Sequence, residues 1–98
     1  MVPELSQISG IGEYTEKQET VDDKPRTLYY KEDKVFLVIN TKTIELRTEK
    51  NLGNLLKEKY ESVMESRYFG RGGVEIVPAG QLSTEELEDL IRLSYNLS

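Results

Sequence analysis

Three apolar runs in quick succession most restrict what this chain can become: Leu28-Tyr29-Tyr30-Lys31, Val35-Phe36-Leu37-Val38-Ile39 and Thr43-Ile44-Glu45-Leu46-Arg47. Each is rich in the β-branched and aromatic residues that fit a pleated surface. Only Glu32-Asp33 and Asn40-Thr41-Lys42 separate them, and links that short join antiparallel neighbours, because a parallel pair needs a crossover of about a dozen residues. A β-meander is therefore expected. In its last strand Ile44 and Leu46 point to one side and Thr43, Glu45 and Arg47 to the other, so at least one flank of the sheet should meet water. The unbroken run Val35 to Ile39 suits a central strand. Alternation lets only one of Tyr29 and Tyr30 face the core, and the sequence does not say which.

The second constraint lies at the C-terminal end. Ser83 and Glu86 have the S-x-x-E spacing of a capping box, in which each side chain satisfies a free backbone N–H at the start of a helix. Leu82 and Leu87 can close over the first turn as a hydrophobic staple, and Glu85 and Glu86 face the positive end of the helix dipole. Leu87, Leu90, Ile91 and Tyr95 follow one helical stripe, with Glu88, Asp89 and Arg92 on the solvent side. An earlier helix is expected after Thr48, a plausible cap, with Leu52, Leu55, Leu56 and Tyr60 inward and Gly53 as its weak point. Glu61 to Ser66 reads as a connector, and Gly73 to Val77 as one more strand. The fold class expected is α+β: an antiparallel β-meander sheet with two helices packed on one face.

Before Thr27 the pattern is fainter. Leu5, Ile8 and Ile11 are spaced like one face of a short helix that Gly10 and Gly12 would end, and Tyr14 to Thr20 alternates like an edge strand. Val21-Asp22-Asp23-Lys24-Pro25 reads as a turn or a mobile loop. Partial disorder is expected over residues 1–26. With 98 residues and 37% hydrophobic content, residues 1–98 fit a single domain with one modest core.

Composition narrows the chemistry. The chain has no Cys, His or Trp, so it can form no disulfide, no Cys/His zinc site and no His-based triad. No enzyme activity and no cofactor are expected. The acidic residues Glu13, Glu16, Glu19, Asp22 and Asp23 match no calcium-loop spacing and read as a solvated charge run. No apolar run reaches the ~20 residues of a membrane span, and the Met1-Val2-Pro3-Glu4 start lacks the parts of a signal peptide, so no membrane partner and a cytoplasmic location are expected. The net charge of -5 argues against a surface wholly built to hold nucleic acid. Its distribution is uneven, however: residues 24–50 carry seven Lys or Arg against four acids, and residues 66–74 carry two Arg and no acid.

Taken in order, Gly10-Ile11-Gly12-Glu13, Lys34-Val35-Phe36-Leu37-Val38, Thr43-Ile44-Glu45-Leu46-Arg47, Leu82-Ser83-Thr84-Glu85-Glu86-Leu87 and Ser94-Tyr95-Asn96-Leu97 form a pattern that resembles the MmcQ/YjbR-like family over most of the chain. Members of that family have a double-wing, frataxin-like α+β fold. They finish with an acidic capped helix and a Ser-Tyr or similar pair followed by leucine. The loop before their last strand often carries Lys, His and Trp, where this chain has Arg67-Tyr68-Phe69-Gly70-Arg71-Gly72-Gly73. The resemblance implies a domain of the kind commonly labelled DNA-binding.

Candidate contact residues follow from side-chain chemistry. Arg67 and Arg71 can pair with phosphates, Tyr68 and Phe69 can stack on bases or fill a pocket, and the three glycines let backbone approach closely or turn. Lys31, Lys34, Lys42, Arg47 and Lys50 could extend a positive strip across the hairpins, although lysines on strands also discourage edge pairing. Gly70-Arg71-Gly72-Gly73 is no phosphate loop, because the Lys-Ser/Thr ending and the following helix are missing. Weak, salt-sensitive DNA binding through the basic hairpins and the Arg/Gly loop is the first functional expectation. A module that binds another protein is the alternative.

Overall fold

A computed structural model describes Leu5, residues 8–78 and residues 80–98. Its elements are β1 (Thr15–Val21), β2 (Lys24–Lys31), β3 (Lys34–Ile39), β4 (Ile44–Arg47), α1 (Lys50–Lys59), β5 (Val63–Ser66), β6 (Gly70–Ile76) and α2 (Thr84–Leu97). The strands form one antiparallel sheet in the order β1-β2-β3-β4-β6-β5. The α+β expectation holds, with a six-stranded sheet and two helices. Both helices lie on the same face. There α1 rests on β5 and β6, and α2 on β3 and β4.

The β1–β2 link is only Asp22-Asp23, both with positive φ (51° and 64°). That is the backbone of a primed two-residue turn, whose twist matches the strands it joins. What reads in sequence as a loose segment is thus a tight hairpin tip. Further along, Tyr29 pairs with Leu37 and Tyr30 with Val35, so Phe36 is an extra residue in a bulge. The bulge lets Phe36 and Leu37 both join the helix-side core, where the Phe36 ring meets Tyr95 edge-on at 5.0 Å. Ser94, fully buried on α2, completes the join: its hydroxyl donates to the Phe36 carbonyl and accepts from the Arg47 N–H at 2.7 Å.

The α2 boundary agrees with its sequence. The Ser83 hydroxyl accepts from the Glu86 N–H at 3.2 Å, and the Glu86 carboxylate accepts from the Ser83 N–H at 3.1 Å. Leu87, Leu90, Ile91 and Tyr95 are all buried.

The first helix differs from expectation. Its N-cap is Glu49, without a side-chain cap, whereas Thr48 is buried and its N–H bonds to the Gly72 carbonyl at 3.0 Å, prolonging the sheet. Gly53 is the residue that seats the helix, because a Cβ there would lie 2.8 Å from the Thr48 hydroxyl. Centring the contact on Gly53, Leu56 and Tyr60 leaves Leu55 about 130° away at 100° per residue. It is 63% exposed rather than inward-facing.

The stretch read as a connector contains β5. Its inward residues, Val63 and Ser66, do not alternate with polar ones, and this edge strand exists by pairing with β6. β6 begins at Gly70, earlier than the expected Gly73, so most of the glycine segment is strand. Only Gly70 of its three glycines has positive φ. Gly73 answers a different need: a Cβ there would strike the Leu46 carbonyl and lie 2.7 Å from Phe69 Cβ.

Part of the 1–26 segment expected to be partly disordered lies outside the described residues. Among those described, Leu5 and Ile8 join the main core and Thr15–Val21 forms the edge strand β1. The choice between Tyr29 and Tyr30 dissolves, since each half-buried ring packs on its own face. Tyr29 joins the helix-side core, and Tyr30 a second cluster of Leu28, Val35 and Val38 on the opposite face.

Candidate functional site

The face without helices carries two glutamates directly opposite one another, Glu45 on β4 and Glu75 on β6. Both are buried, at 2% and 4% exposure, which overturns the expectation that Glu45 faces water. Like charges in that position repel, and a buried carboxylate is costly unless donors surround it. The donors are present. Glu45 accepts from the Ser66 hydroxyl, the Tyr68 N–H and the Asn40 side-chain amide, each at 2.8 Å. Glu75 takes both Arg67 Nε (3.0 Å) and Nη2 (2.8 Å) in a forked pair, and the Thr43 hydroxyl at 2.6 Å. Asn40 also donates to Thr43, at 3.1 Å, which joins the two carboxylates into one network.

This network folds the β5–β6 turn across the sheet. The register jumps from Glu65↔Val74 to Ser66↔Gly70, so the turn Arg67-Tyr68-Phe69 leaves the ladder and lies over the open face. Phe69 covers the Leu28, Val35 and Val38 cluster, with the Arg47 guanidinium 5.0 Å from its ring centre. Tyr68 meets Phe69 edge-on at 4.9 Å, and Arg26 lies 5.4 Å from the Tyr68 ring centre.

Electrostatics follow from this geometry. Burial pushes the Glu75 carboxyl up, but the bonds from Arg67 and Thr43 outweigh it and hold the group below the ordinary glutamate value. The same pair raises the Arg67 pKa. Burial raises the Tyr68 phenol, which therefore stays neutral at physiological pH.

Beside the folded turn runs an open groove of about 730 Å³, bounded by Val21, Lys24, Arg26, Lys42, Arg67 and Tyr68. Arg67 is 77% exposed at its side chain although its fork is held, and the Tyr68 residue is 39% exposed. Arg26 is ion-paired with Glu19. Lys24 and Lys42 have no ion-pair partner among the described residues.

Comparison with protein-family models, with curated proteins and with solved structures gave no match.

The predicted contact residues divide into two groups. Arg67, Tyr68, Phe69 and Arg47 come together on the open face, but Phe69 and Arg47 serve packing: Arg47 Nε donates to the Val35 carbonyl at 2.8 Å. Lys42 lines the groove beside Arg67 and Tyr68, but the remaining four do not form a strip with them. Lys31 donates to the Tyr95 carbonyl at 3.2 Å and lies over that ring, next to the end of α2. Lys34 begins β3 at the far end of the meander, Lys50 begins α1, and Arg71 is exposed on β6. Sequence reasoning missed Lys24 and Arg26 as groove residues, and Glu45 and Glu75 as its supports. The signal for the glutamates was the repeated apolar-Glu-apolar triplet, Ile44-Glu45-Leu46 and Val74-Glu75-Ile76.

Among the described residues no helix is long and apolar enough to cross a membrane, and no cluster of three acidic residues could hold a metal ion.

Proposed function

We propose that this chain is a cytoplasmic, non-enzymatic MmcQ/YjbR-like domain that binds nucleic acid weakly, with a single-stranded base stacked on Tyr68 and a neighbouring phosphate held by Arg67. The observation that carries the reading is the placement of an exposed tyrosine ring among Arg67, Arg26, Lys24 and Lys42 at one groove. Aromatic rings provide stacking that every base can use, and cations around them track the backbone. Glu75 occupies Nε and Nη2 of Arg67 and leaves Nη1 for a phosphate oxygen. Glu45 holds the Tyr68 backbone at 2.8 Å, which orders the platform before a ligand arrives.

Opposing forces set the strength. The chain carries -5 overall, and two of the four groove cations are already paired with glutamates. Dissociation constants no tighter than about micromolar at physiological salt follow, with steep loss as salt rises.

Anisotropy titrations of labelled single-stranded and duplex DNA, at low and physiological salt, test this. Tyr68→Ala should weaken single-strand binding about fivefold or more, since a stacked base contributes roughly 1–3 kcal/mol. Lys24→Gln with Lys42→Gln should flatten the slope of log affinity against log salt by about 1.4. No binding at low salt would dismiss the proposal. A protein partner is the second reading, favoured by Val21, which is exposed at the same groove. Binding of that kind would survive moderate salt and depend on Val21 and Tyr68.

A further inference from the structure

The two edges of the sheet are unequal. β5 is four residues long, has a register break at Glu65/Ser66 and packs against α1, all features that blunt an edge. β1 is seven residues long, pairs with β2 without any register shift and contains no proline. Its residues are exposed except for half-buried Glu19, and no described strand pairs with its outer side.

The orientation of its free backbone groups follows from the hairpin. Val21 and Lys24 flank the two-residue turn and form its closing hydrogen-bonded pair, so alternation directs Thr15, Lys17, Glu19 and Val21 toward β2. Glu16, Gln18 and Thr20 therefore present their N–H and C=O groups outward.

We infer that β1 is the interface of a symmetric homodimer, in which two copies pair antiparallel about Gln18. In that register Gln18 exchanges both backbone bonds with its symmetry mate, and Glu16 exchanges its bonds with Thr20 of the second copy. The residues between them, Lys17 and Glu19, then stand directly opposite each other in the closer, non-hydrogen-bonded positions, where opposite charges attract best. The twofold axis makes that contact twice. The strand Thr15-Glu16-Lys17-Gln18-Glu19-Thr20-Val21 is thus complementary in charge to its own reverse, as an isologous interface requires. A lysine on an edge deters a partner that meets it with a cation or an apolar side chain. Here it meets Glu19, which binds Arg26 of its own chain through Oε1 and keeps Oε2 for the lysine.

The dimer would have one continuous sheet with both open faces, and both Tyr68 turns, on the same side. The joined area is small, and two chains of charge -5 repel, so a dissociation constant on the order of 100 µM is expected. This inference does not depend on ligand binding at the groove.

Sedimentation equilibrium from about 10 µM to 1 mM reads the association directly. Wild type should show a monomer–dimer equilibrium. Lys17→Glu, which places glutamates against Glu19, and Glu19→Lys, which places lysines against Lys17, should each weaken it at least tenfold. An equimolar mixture of these two variants restores both ion pairs and should regain a heterodimer of about wild-type affinity. Gln18→Pro removes the central outward N–H and should give a monomer, while circular dichroism confirms that each variant is folded. A wild type that stays monomeric at 1 mM, a dimer indifferent to Lys17→Glu, or a mixture that fails to reassociate would each overturn the proposal.

Discussion

Replacing Arg67 by alanine tests whether the Glu45/Glu75 network supports the folded turn. The substitution removes both guanidinium bonds from a carboxylate whose side chain is 5% exposed, and leaves Thr43 as its one side-chain donor among the described residues. An unsatisfied buried polar group costs about 1–3 kcal/mol, and breaking a fully buried ion pair about 3–5 kcal/mol. Arg67 itself is largely exposed, so water screens much of the Coulomb attraction and the lower range applies: about 2 kcal/mol at pH 7.

The pH dependence distinguishes this cause from a packing loss. In the wild type Glu75 has a folded pKa below its ordinary 4.5, so its contribution is fully present above that value and is lost as pH falls through the lowered one. In the variant the two guanidinium bonds are gone, while the Thr43 hydroxyl and the backbone at position 67 still bond the carboxylate, so its pKa rises from the lowered wild-type value. The folded variant therefore holds the carboxylate less favourably than the wild type at neutral pH, and the difference is relieved as acid protonates it. The two stability curves should therefore converge as pH falls below about 4.5 and through the lowered wild-type value, to a difference under about 1 kcal/mol. Urea denaturation followed by circular dichroism, with both proteins at each pH, measures this because other titrating groups cancel in the difference. A deficit that stays constant with pH would refute the network as its cause.

The helix phase can be checked with two neighbours. Leu90→Ala should cost roughly 2–5 kcal/mol, whereas Asp89→Ala, which loses only an exposed i,i+3 pair with Arg92, should cost under about 1 kcal/mol by the same denaturation. Ser94→Ala strands the Arg47 N–H and the Phe36 carbonyl inside the bulge, so a loss of about 2–4 kcal/mol is expected, with amide exchange fastest at Arg47. Gly73→Ala drives a methyl into the Leu46 carbonyl and Phe69, and should lower stability by about 1–3 kcal/mol through displacement of the turn; nuclear magnetic resonance shifts at Tyr68 and Phe69 would report it.

Much of the fold was legible because local signals agreed with tertiary needs. The Ser83/Glu86 capping box and the Leu87-Leu90-Ile91-Tyr95 stripe satisfy the helix and the core together. The short links between Leu28 and Arg47 left one topology open to the meander. Failures arose where a neighbour, not the segment itself, decides the structure. β5 is four residues whose one strand partner among the described residues is β6. Leu55 faces water because close approach at Gly53 turns the helix, and a glycine carries no apolar signal to reveal that.

The candidate site was hidden for a related reason. A glutamate between two apolar strand residues ordinarily means that its face meets water, and so Glu45 was placed outside. The face does lack helices, but the β5–β6 turn bends over it. Nothing in the residues around Glu45 encodes a register jump that happens at Glu65/Ser66. The clue lies in the recurrence of the triplet at Glu75, which suggests two carboxylates brought side by side by pairing. Such an arrangement is a poor way to gain stability, since apolar residues of similar volume often do as well or better than buried charges. Its effect is geometric. Replacing Glu45 and Glu75 by a well-packed apolar pair could preserve the sheet, but it would remove the acceptors for Arg67, the Tyr68 N–H, Asn40 and Thr43 together. The sheet would survive and the turn would come loose. A chain that retains this pair therefore holds Arg67 and Tyr68 in place at the groove.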